Sequence, residues 1–486
     1  MIMRKLFFFP MLFICLITKA QGIDVATASK SITAAGLKEH LSIIASAEMQ
    51  GREAGTEGER KAAAYLISQY RKFSMKPGYN GNYKLPFTLY QAVAGKSELK
   101  INGESAVLDQ DYWINNAYLP INTLKTNAII YVGSSFNDKS KLDVKGKILV
   151  STENEESSGR KVTAAQKLGA AAMIIIAKSN SNPPSVTNGR PRLSKSPSGF
   201  AYFMVSKSLG SKLLGGSKSF TEQEWTEIPK GVYTTYIEWT AEQRSKEIPS
   251  ANVIAYLPAK EKTDEYLFIT SHYDHEGIKN GVVYYGADDD GSGTASVVAI
   301  AGAFANAAKH GFVPKRNIVF MNVSGEEKGL LGSQYYSEHP VFPLEKTTAD
   351  LNIDMVGRID PTYKGDSLNY VYIIGEEKIS SDLQKITNSI NNEAGHLELD
   401  RTFNDPNDPN RFYYRSDHYN FAAKGIPVLF YFNGTHKDYH QPSDTIEKIN
   451  FDLMEKRVRF IFHTAWEIAM KDEMLKRDMP LDMPSR

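Results

Sequence analysis

Residues 268–293 read FITSHYDHEGIKNGVVYYGADDDGSG, and the chemistry of this chain is spaced around them. The apolar run at 266–270 predicts a buried strand that delivers His272 and Asp274 at its C-terminal end. Residues two apart on an extended chain share a face. An imidazole and a carboxylate so placed can act as a metal ligand and the partner that fixes its tautomer. The chain then reaches Asp288, Asp289 and Asp290, bounded by glycines and followed by a helical run at 294–308. Adjacent acids repel one another strongly unless a cation sits among them.

Other His and carboxylate residues stand where strands are expected to end. Glu326 and Glu327 follow a strand at 317–323, Asp354 ends one at 349–354, and His440 lies in the loop after one at 427–432. Taken singly, an Asp or His at a strand end is more often a capping or surface group. Together they can supply one His and one terminal carboxylate to each of two cations, with a carboxylate shared between them. Two-metal hydrolytic sites hold their ions about 3.5–4 Å apart, acidify a shared water and clamp the attacked oxygen. A carboxylate outside the metal set must take the water's proton and pass it to the leaving amine. Glu326 and Glu327 diverge as neighbours, so one can ligate while the other faces the water. Both also suit a helix N-terminus, where the macrodipole favours acids.

The elements that position these residues alternate regularly. Helices expected at 294–308, 330–339, 418–423 and 451–470 interleave with strands at 317–323, 349–355 and 427–432. Such alternation predicts an α/β fold, a mainly parallel sheet covered by helices on both faces. Active sites in that architecture form at the C-terminal ends of strands. Upstream, a helix at 34–47 turns Leu37, Leu41, Ile43 and Ile44 to a core. A glycine-rich loop at 49–58, carrying Arg52 and Glu53, reads as a solvated capping loop. It leads into a helix at 59–73, capped by Thr56 or Glu57. Between 99 and 245 the texture changes to short β runs (128–132, 147–150), a helix at 161–168 leading into 170–177, and an exposed Ser/Asn/Pro-rich loop at 179–198. No acid, base or nucleophile clusters there, so it reads as an accessory insertion in a catalytic domain formed by 21–98 and 246–486.

Composition sets the outer bounds. The chain has 486 residues, 42% hydrophobic and 23% charged, as in soluble globular proteins of two or three domains. A net charge of +1 offers no field for nucleic acid or anionic membranes. Arg4 and Lys5, an apolar run at 6–17, then Thr18 and Ala20 predict a cleavable signal peptide over 1–20 and a secreted or periplasmic location. That run is too short to span a bilayer. It contains the single cysteine, Cys15, so in the mature chain any metal must be held by His, Asp and Glu.

The motifs Ser271-His272-Tyr273-Asp274-His275, Gly286-Ala287-Asp288-Asp289-Asp290-Gly291, Ser324-Gly325-Glu326-Glu327-Lys328-Gly329, Asn352-Ile353-Asp354-Met355 and Tyr439-His440-Gln441-Pro442 are present in order. In sequence and spacing they resemble the co-catalytic di-zinc aminopeptidases, of bacterial leucyl aminopeptidase and aminopeptidase Y type. The insertion, through 143–150 and 169–176, resembles the protease-associated (PA) domain often inserted at this point. The resemblance implies a zinc exopeptidase fold acting on peptide substrates. It implies that His272 and Asp354 hold one Zn2+, that Glu327 and His440 hold the other, and that Asp289 bridges the two. Glu326 would be the general base, Asp274 the partner of His272, and Asp289–Asp290 a cis peptide. Asp417 matches a further element, with a structural role near the pocket. His275 is expected to hydrogen-bond or line the rim, and His418 to cap a helix. The aromatic cluster at 412–414 and Tyr431-Phe432 are expected mainly to pack the core. Glutaminyl cyclases and carboxypeptidases share the fold and stay open as alternatives, as does a metal-free peptide-binding or receptor-like protein, which would be expected to lack ligands or base.

Overall fold

Stretches such as Leu267-Phe268-Ile269 and Ile318-Val319-Phe320-Met321 are apolar at every position, as in strands buried on both faces. In the computed structural model they lie side by side within a mixed sheet. The structure describes residues 23–483, except 94, 116–117, 121, 138–142, 179–187, 196–199 and 262. The expected signal segment lies outside the described residues, as does most of the loop expected at 179–198. The chain divides into two compact units: Pro86–Ala251, and the residues up to Leu85 together with Asn252–Arg486. The change of sequence texture puts the divisions after 98 and 245. Both observed divisions fall inside or at the edge of long strands, Lys84–Val93 and Arg244–Leu257, where no change of composition marks them.

The unit that carries the motifs contains α1 (Ala34–Ile44), α2 (Glu57–Lys72), the part of β1 (Arg244–Leu257) from Asn252 on, β2 (Tyr266–His272), α3 (Gly293–Lys309), β3 (Asn317–Val323), α4 (Leu331–Glu338) and β4 (Thr347–Ile353). It continues through β5 (Tyr370–Ile374), α5 (Leu383–Ile390), β6 (Glu398–Asp400), α6 (His418–Ala422), β7 (Val428–Phe432) and α7 (Phe451–Met470). The sheet runs from Lys76–Pro77 through β1-β3-β2-β4-β7-β5-β6. Its centre, β3-β2-β4-β7, is parallel, while β1 and β5 are antiparallel to their neighbours β3 and β7. This is the mainly parallel, mixed α/β sheet expected.

Side chains along the strands alternate between two cores. Leu267, Ile269, Ile318, Phe320, Leu351 and Leu429 pack with Leu41, Leu66, Phe304 and Phe462 from the helices. Phe268, Val319, Met321 and Phe430 face the other way, toward Tyr336 and Phe421. Each large apolar side chain so buried contributes about 1.5–3 kcal/mol. A slip of one residue would exchange the two faces, so this burial fixes the register. By the same parity Thr270 and His272 share a face of β2, and Asp350, Asn352 and Asp354 share a face of β4 and its continuation. Thr56 caps α2 through its side chain, as expected.

The unit Pro86–Ala251 is built on an eight-stranded mixed sheet. Leu124–Tyr131, Ile148–Thr152, Ala172–Ile176 and Ala201–Val205 are parallel neighbours within it. Phe203 and Trp239 pack on one face, Met173 and Ile175 on the other. Among the described residues, no helix is long and apolar enough to cross a membrane.

Candidate metal centre

Parallel strands that end side by side deliver their C-terminal loops to one place. His272 is the last residue of β2, Glu326 and Glu327 follow β3, Asp354 follows β4 and His440 follows β7. Asp289 arrives on the segment Ala287–Ser292 that leads into α3. His272 Nε2 lies 3.3 Å from Asp289 Oδ1, 3.6 Å from Asp354 Oδ1 and 4.0 Å from Glu326 Oε2. His440 Nε2 lies 3.0 Å from Asp289 Oδ2 and 3.1 Å from Glu327 Oε2. Asp289 thus turns one oxygen toward His272 and the other toward His440. The peptide bond Asp289–Asp290 is cis.

The glycines around the acids answer to space. Gly286 has φ +53°, and a Cβ there would sit 2.3 Å from the Asp289 carbonyl oxygen and 2.5 Å from the His275 ring. At Gly293 a Cβ would meet the Ile353 carbonyl oxygen at 2.1 Å. The end of β4 and the start of α3 approach closely enough to exclude any side chain there.

Of the three adjacent acids, two have partners for both oxygens, in the main chain and in His436. Asp290 Oδ1 accepts from the N–H groups of Gly293 and Met355 at 2.9 and 3.0 Å, and Oδ2 from that of His272 at 3.2 Å. Asp288 Oδ1 accepts from Gly357 N–H at 2.7 Å, and Oδ2 lies 3.1 Å from His436 Nε2. Asp444 Oδ2 receives the N–H groups of Asp288 and Asp289. Proximity alone would also group Asp290 with His272 and Asp354. Both Asp290 oxygens are occupied, however, which leaves Asp289 as the better donor.

Asp274, expected as the partner of His272, lies beside it with both its main chain and its carboxylate. His272 Nδ1 lies nearer the Asp274 main-chain oxygen, at 3.0 Å, than its carboxylate, at 3.7 Å. That carboxylate accepts the Glu326 N–H at 3.1 Å and ties the loop of Glu326 to the end of β2. Asp354 Oδ2 accepts from Ser416 Oγ at 2.6 Å, leaving Oδ1 to face His272. His275, expected at the rim or in a hydrogen bond, is fully buried with Nδ1 2.8 Å from Glu327 Oε1. Arg52, expected in a solvated loop, is also fully buried. Its guanidinium donates to the carbonyls of Tyr273, Ile44, Tyr285 and Gly286 at 2.7–2.9 Å. Asp417 accepts from Ser333 Oγ beneath the site, and burial pushes its carboxyl up to about 7. His418 starts α6 without capping it. Its ring stacks on Phe430 at 4.6 Å, and burial lowers its pKa to about 3.

Burial opposes charge at each buried group, so the direction of each shift reports its neighbours. Despite burial, Asp354 and Glu326 hold the His272 imidazole well above its usual range. Asp289 and Glu327 likewise raise His440 to about 10. Asp289 is held far down against burial by His272 and His440, and Glu327 falls to about 2 against burial and Asp289 through His275 and His440. Glu326 goes the other way, well above the usual carboxylate range, because burial outweighs the pull of His272. The carboxylates thus demand positive charge on both sides of Asp289.

His272 Nε2, His275 Nδ1, Asp289 Oδ2 and Glu327 Oε1 are buried and crowd against one another, yet none is oriented for a hydrogen bond. Orphaned polar atoms of this kind are costly unless something compensates them. Nitrogen and oxygen donors converging without thiolate fit zinc and other divalent transition ions. Asp289, Glu326 and Asp354 also border a small pocket lined by Met355, Phe412, Phe430 and Phe432, with Arg415 and Tyr439. Tyr439 stacks on His440 at 3.9 Å, and Arg415 Nη2 donates to the Tyr439 hydroxyl at 3.1 Å. Phe412 and Phe432 therefore wall a cavity as well as packing the core, while Tyr413, Tyr414 and Tyr431 are buried in it.

Comparison with known proteins places this geometry. The model of peptidase family M28 matches residues 252–465, and that of the PA domain matches 114–213. Aminopeptidase YwaD of Bacillus subtilis is 23% identical over 435 residues, covering 87% of this chain and 83% of that protein. A leupeptin-inactivating enzyme of Streptomyces exfoliatus is 26% identical over 239 residues, 45% of this chain and 48% of its own length. Among solved structures, an aminopeptidase from Aneurinibacillus sp. strain AM-1 superposes with a TM-score of 0.58 at 21% identity, covering 95% of this chain and all of that one. BSAP, a zinc aminopeptidase from Bacillus subtilis, has a TM-score of 0.50 at 20% identity over 93% and 99%. Motifs, sheet and gathered His and acid residues agree with these matches: the chain carries a peptidase family M28 domain over 252–465 and a PA domain over 114–213.

Proposed function

We propose that the chain is a zinc-dependent aminopeptidase that holds two Zn2+ and removes N-terminal residues from peptides. The observation that carries this reading is the two-sided Asp289, with Oδ1 3.3 Å from His272 and Oδ2 3.0 Å from His440. His272 and Asp354 would hold one ion, Glu327 and His440 the other, and Asp289 both. When bound, such a pair supplies Lewis acidity and lowers the pKa of the water it activates. The chain's own residues do the rest. Glu326 Oε2, 4.0 Å from His272 Nε2, stands beside the ligands and outside their hydrogen bonds. It accepts the proton of the attacking water and returns it to the leaving amine nitrogen. Asp274 fixes the Glu326 main chain, and Ser416 aims Asp354. The pocket of Met355 and phenylalanines beside these residues suits an apolar first side chain. Relatives whose names describe aminopeptidases support the same reading. Export to the periplasm or medium is proposed on the N-terminal pattern of charge and apolar residues alone.

A carboxypeptidase is the second reading, because Arg415 lines the pocket and guanidinium groups bind carboxylates in a bidentate manner. Hydrolysis of a tetrapeptide with either end blocked separates the two. The aminopeptidase reading expects acetylation of the N-terminus to abolish cleavage and C-terminal amidation to leave it intact. The reverse result overturns it.

A further inference from the structure

In the unit Pro86–Ala251, the parallel strands Leu124–Tyr131, Ile148–Thr152, Ala172–Ile176 and Ala201–Val205 end at a common edge. Ligands of open α/β sheets sit beyond the carboxyl ends of such strands. A cavity of about 430 Å³ lies there, lined by the residues that leave each strand: Tyr131, Thr152, Glu153, Ile176, Lys178 and Lys207. Small-ligand sites typically occupy about 300–1,000 Å³. The far wall is the helix Glu222–Glu227 and the segment after it, with Trp225 and Lys230.

The floor is rigid and positively charged beneath. Lys161 is buried, and its ammonium donates to the carbonyls of Ser134 and Thr152 at 2.8 and 2.7 Å. Ser151 Oγ donates to the Gly133 carbonyl at 2.7 Å. These bonds clamp the segments that leave the first two strands. The side chain of Lys230 lies over Gly133, where an added Cβ would be 2.6 Å from its Cε. Three lysines and one glutamate line the cavity, and Lys178 Nζ also lies 3.5 Å from Glu155 Oε1. Glu153 already accepts the Lys178 main-chain N–H at 3.0 Å. Trp225 is held edge-on to Phe220 at 5.2 Å, and its indole N–H is buried without an acceptor among the described residues.

A ligand that suits this lining brings negative charge beside Lys230 and Lys178, an acceptor for the indole N–H, and apolar surface for Trp225, Tyr131 and Ile176. We infer that the cavity is a peptide-binding site, separate from the metal centre, which takes a segment carrying a carboxylate beside an apolar side chain. An ordinary peptide carbonyl meets the indole N–H, and the carboxylate, from an acidic side chain or a C-terminus, sits beside Lys230 and Lys178. The site rests on this unit's own residues and does not depend on the proposed peptidase activity.

Calorimetry with the full chain tests it, in the presence of chelator so that no metal can hold a carboxylate elsewhere. The probe is acetyl-Ala-Leu-Glu-Phe, compared with acetyl-Ala-Leu-Gln-Phe, with the amide of each and with inorganic phosphate. Binding is expected for the acidic peptide and weaker by about tenfold or more for the neutral amide, as charge-assisted bonds are lost. The double variant Lys178→Glu, Lys230→Glu is expected to lose about tenfold or more in affinity. Trp225→Phe, which keeps the ring and removes the donor, loses a smaller factor. Lys100→Glu, on an exposed strand position of the same unit, is the control and binds as the parent does. All variants keep the parent's melting temperature and its turnover of a short substrate. Comparing the Glu-amide with the Gln-acid tells a side-chain carboxylate from a C-terminal one. Equal affinity for acid and neutral peptides overturns the inference, as does unchanged binding by the lysine pair. Phosphate binding as well as the peptide would make this a general small-anion site and overturn it too.

Discussion

Glu326 and Glu327 are neighbours driven apart in acidity. Burial raises Glu326 well above the usual range, while His275 and His440 bring Glu327 down to about 2. Groups separated this way by their surroundings divide the labour of acid–base chemistry. Replacing Glu326 by Gln is expected to lower kcat by about 10²–10⁴ with KM and bound zinc near the parent's. Near-parent turnover at full metal content would remove Glu326 from the base role. A second residue-scale consequence begins farther from the site. Thr270 Oγ1 lies 2.8 Å from Asp350 Oδ1 and 2.9 Å from Asn352 Oδ1, yet a hydroxyl has one hydrogen to give. The contacts are all satisfied if Asp350 is protonated and donates to Thr270, which donates to Asn352. Asn352 donates to Ser416, and Ser416 to Asp354. Burial does push the Asp350 carboxyl up to about 8. The folded chain therefore keeps a proton that the unfolded chain, with an ordinary value near 3.8, gives up. The stability this group adds is full below about pH 4 and declines as pH rises to about 8. Asp350→Asn keeps a donor in place, so its melting temperature is expected to fall less than the parent's between pH 5 and 9. Parallel curves for the two proteins would refute the protonated state.

At the scale of elements, the loops that carry the ligands are held as firmly as the strands. Arg52 joins the end of α1, the turn after β2 and the approach to Asp289 through four main-chain carbonyls. Arg52→Met removes the donor from the carbonyls of Tyr273, Ile44 and Tyr285, at about 1–3 kcal/mol for each left unpaired, while that of Gly286 keeps the Gly291 N–H. A loss of about 3 kcal/mol or more is expected in urea unfolding, and a loss below 1 kcal/mol would mean the loops hold without it. None of this is legible in the sequence, because an arginine in a glycine-rich loop reads as solvated and its acceptors come from distant segments. The strands at the centre were legible for the opposite reason. Asn317–Val323 is apolar or buried throughout and matches the expected bounds to the residue, whereas Tyr370–Ile374 is an apolar run too short for its pattern to tell strand from helix. The same limit explains His275 and Asp274. Alternation placed His272 and Asp274 on one face, but β2 ends at His272, and beyond it the parity rule lapses. The chain turns there, aiming the Asp274 carboxylate at Glu326 and burying His275 against Glu327.

For the molecule as a whole, the site exists because four parallel strands end together and no single segment holds enough donors. The two-faced burial of β2, β3, β4 and β7 sets the register that aligns those ends, so the stability of the sheet and the geometry of the site have one origin. The PA domain adds no ligand to this set, since every donor named here lies in Asn252–Arg486. What distinguishes the arrangement is Asp289, shared between two groups of donors. Elemental analysis of the purified chain, set beside Asp289→Ala and Glu326→Gln, tests that directly. The account predicts two zinc ions per chain in the parent and in Glu326→Gln, and fewer than one in Asp289→Ala, as expected for a carboxylate shared by a two-metal site. One ion or none in the parent, or two retained by Asp289→Ala, would contradict it.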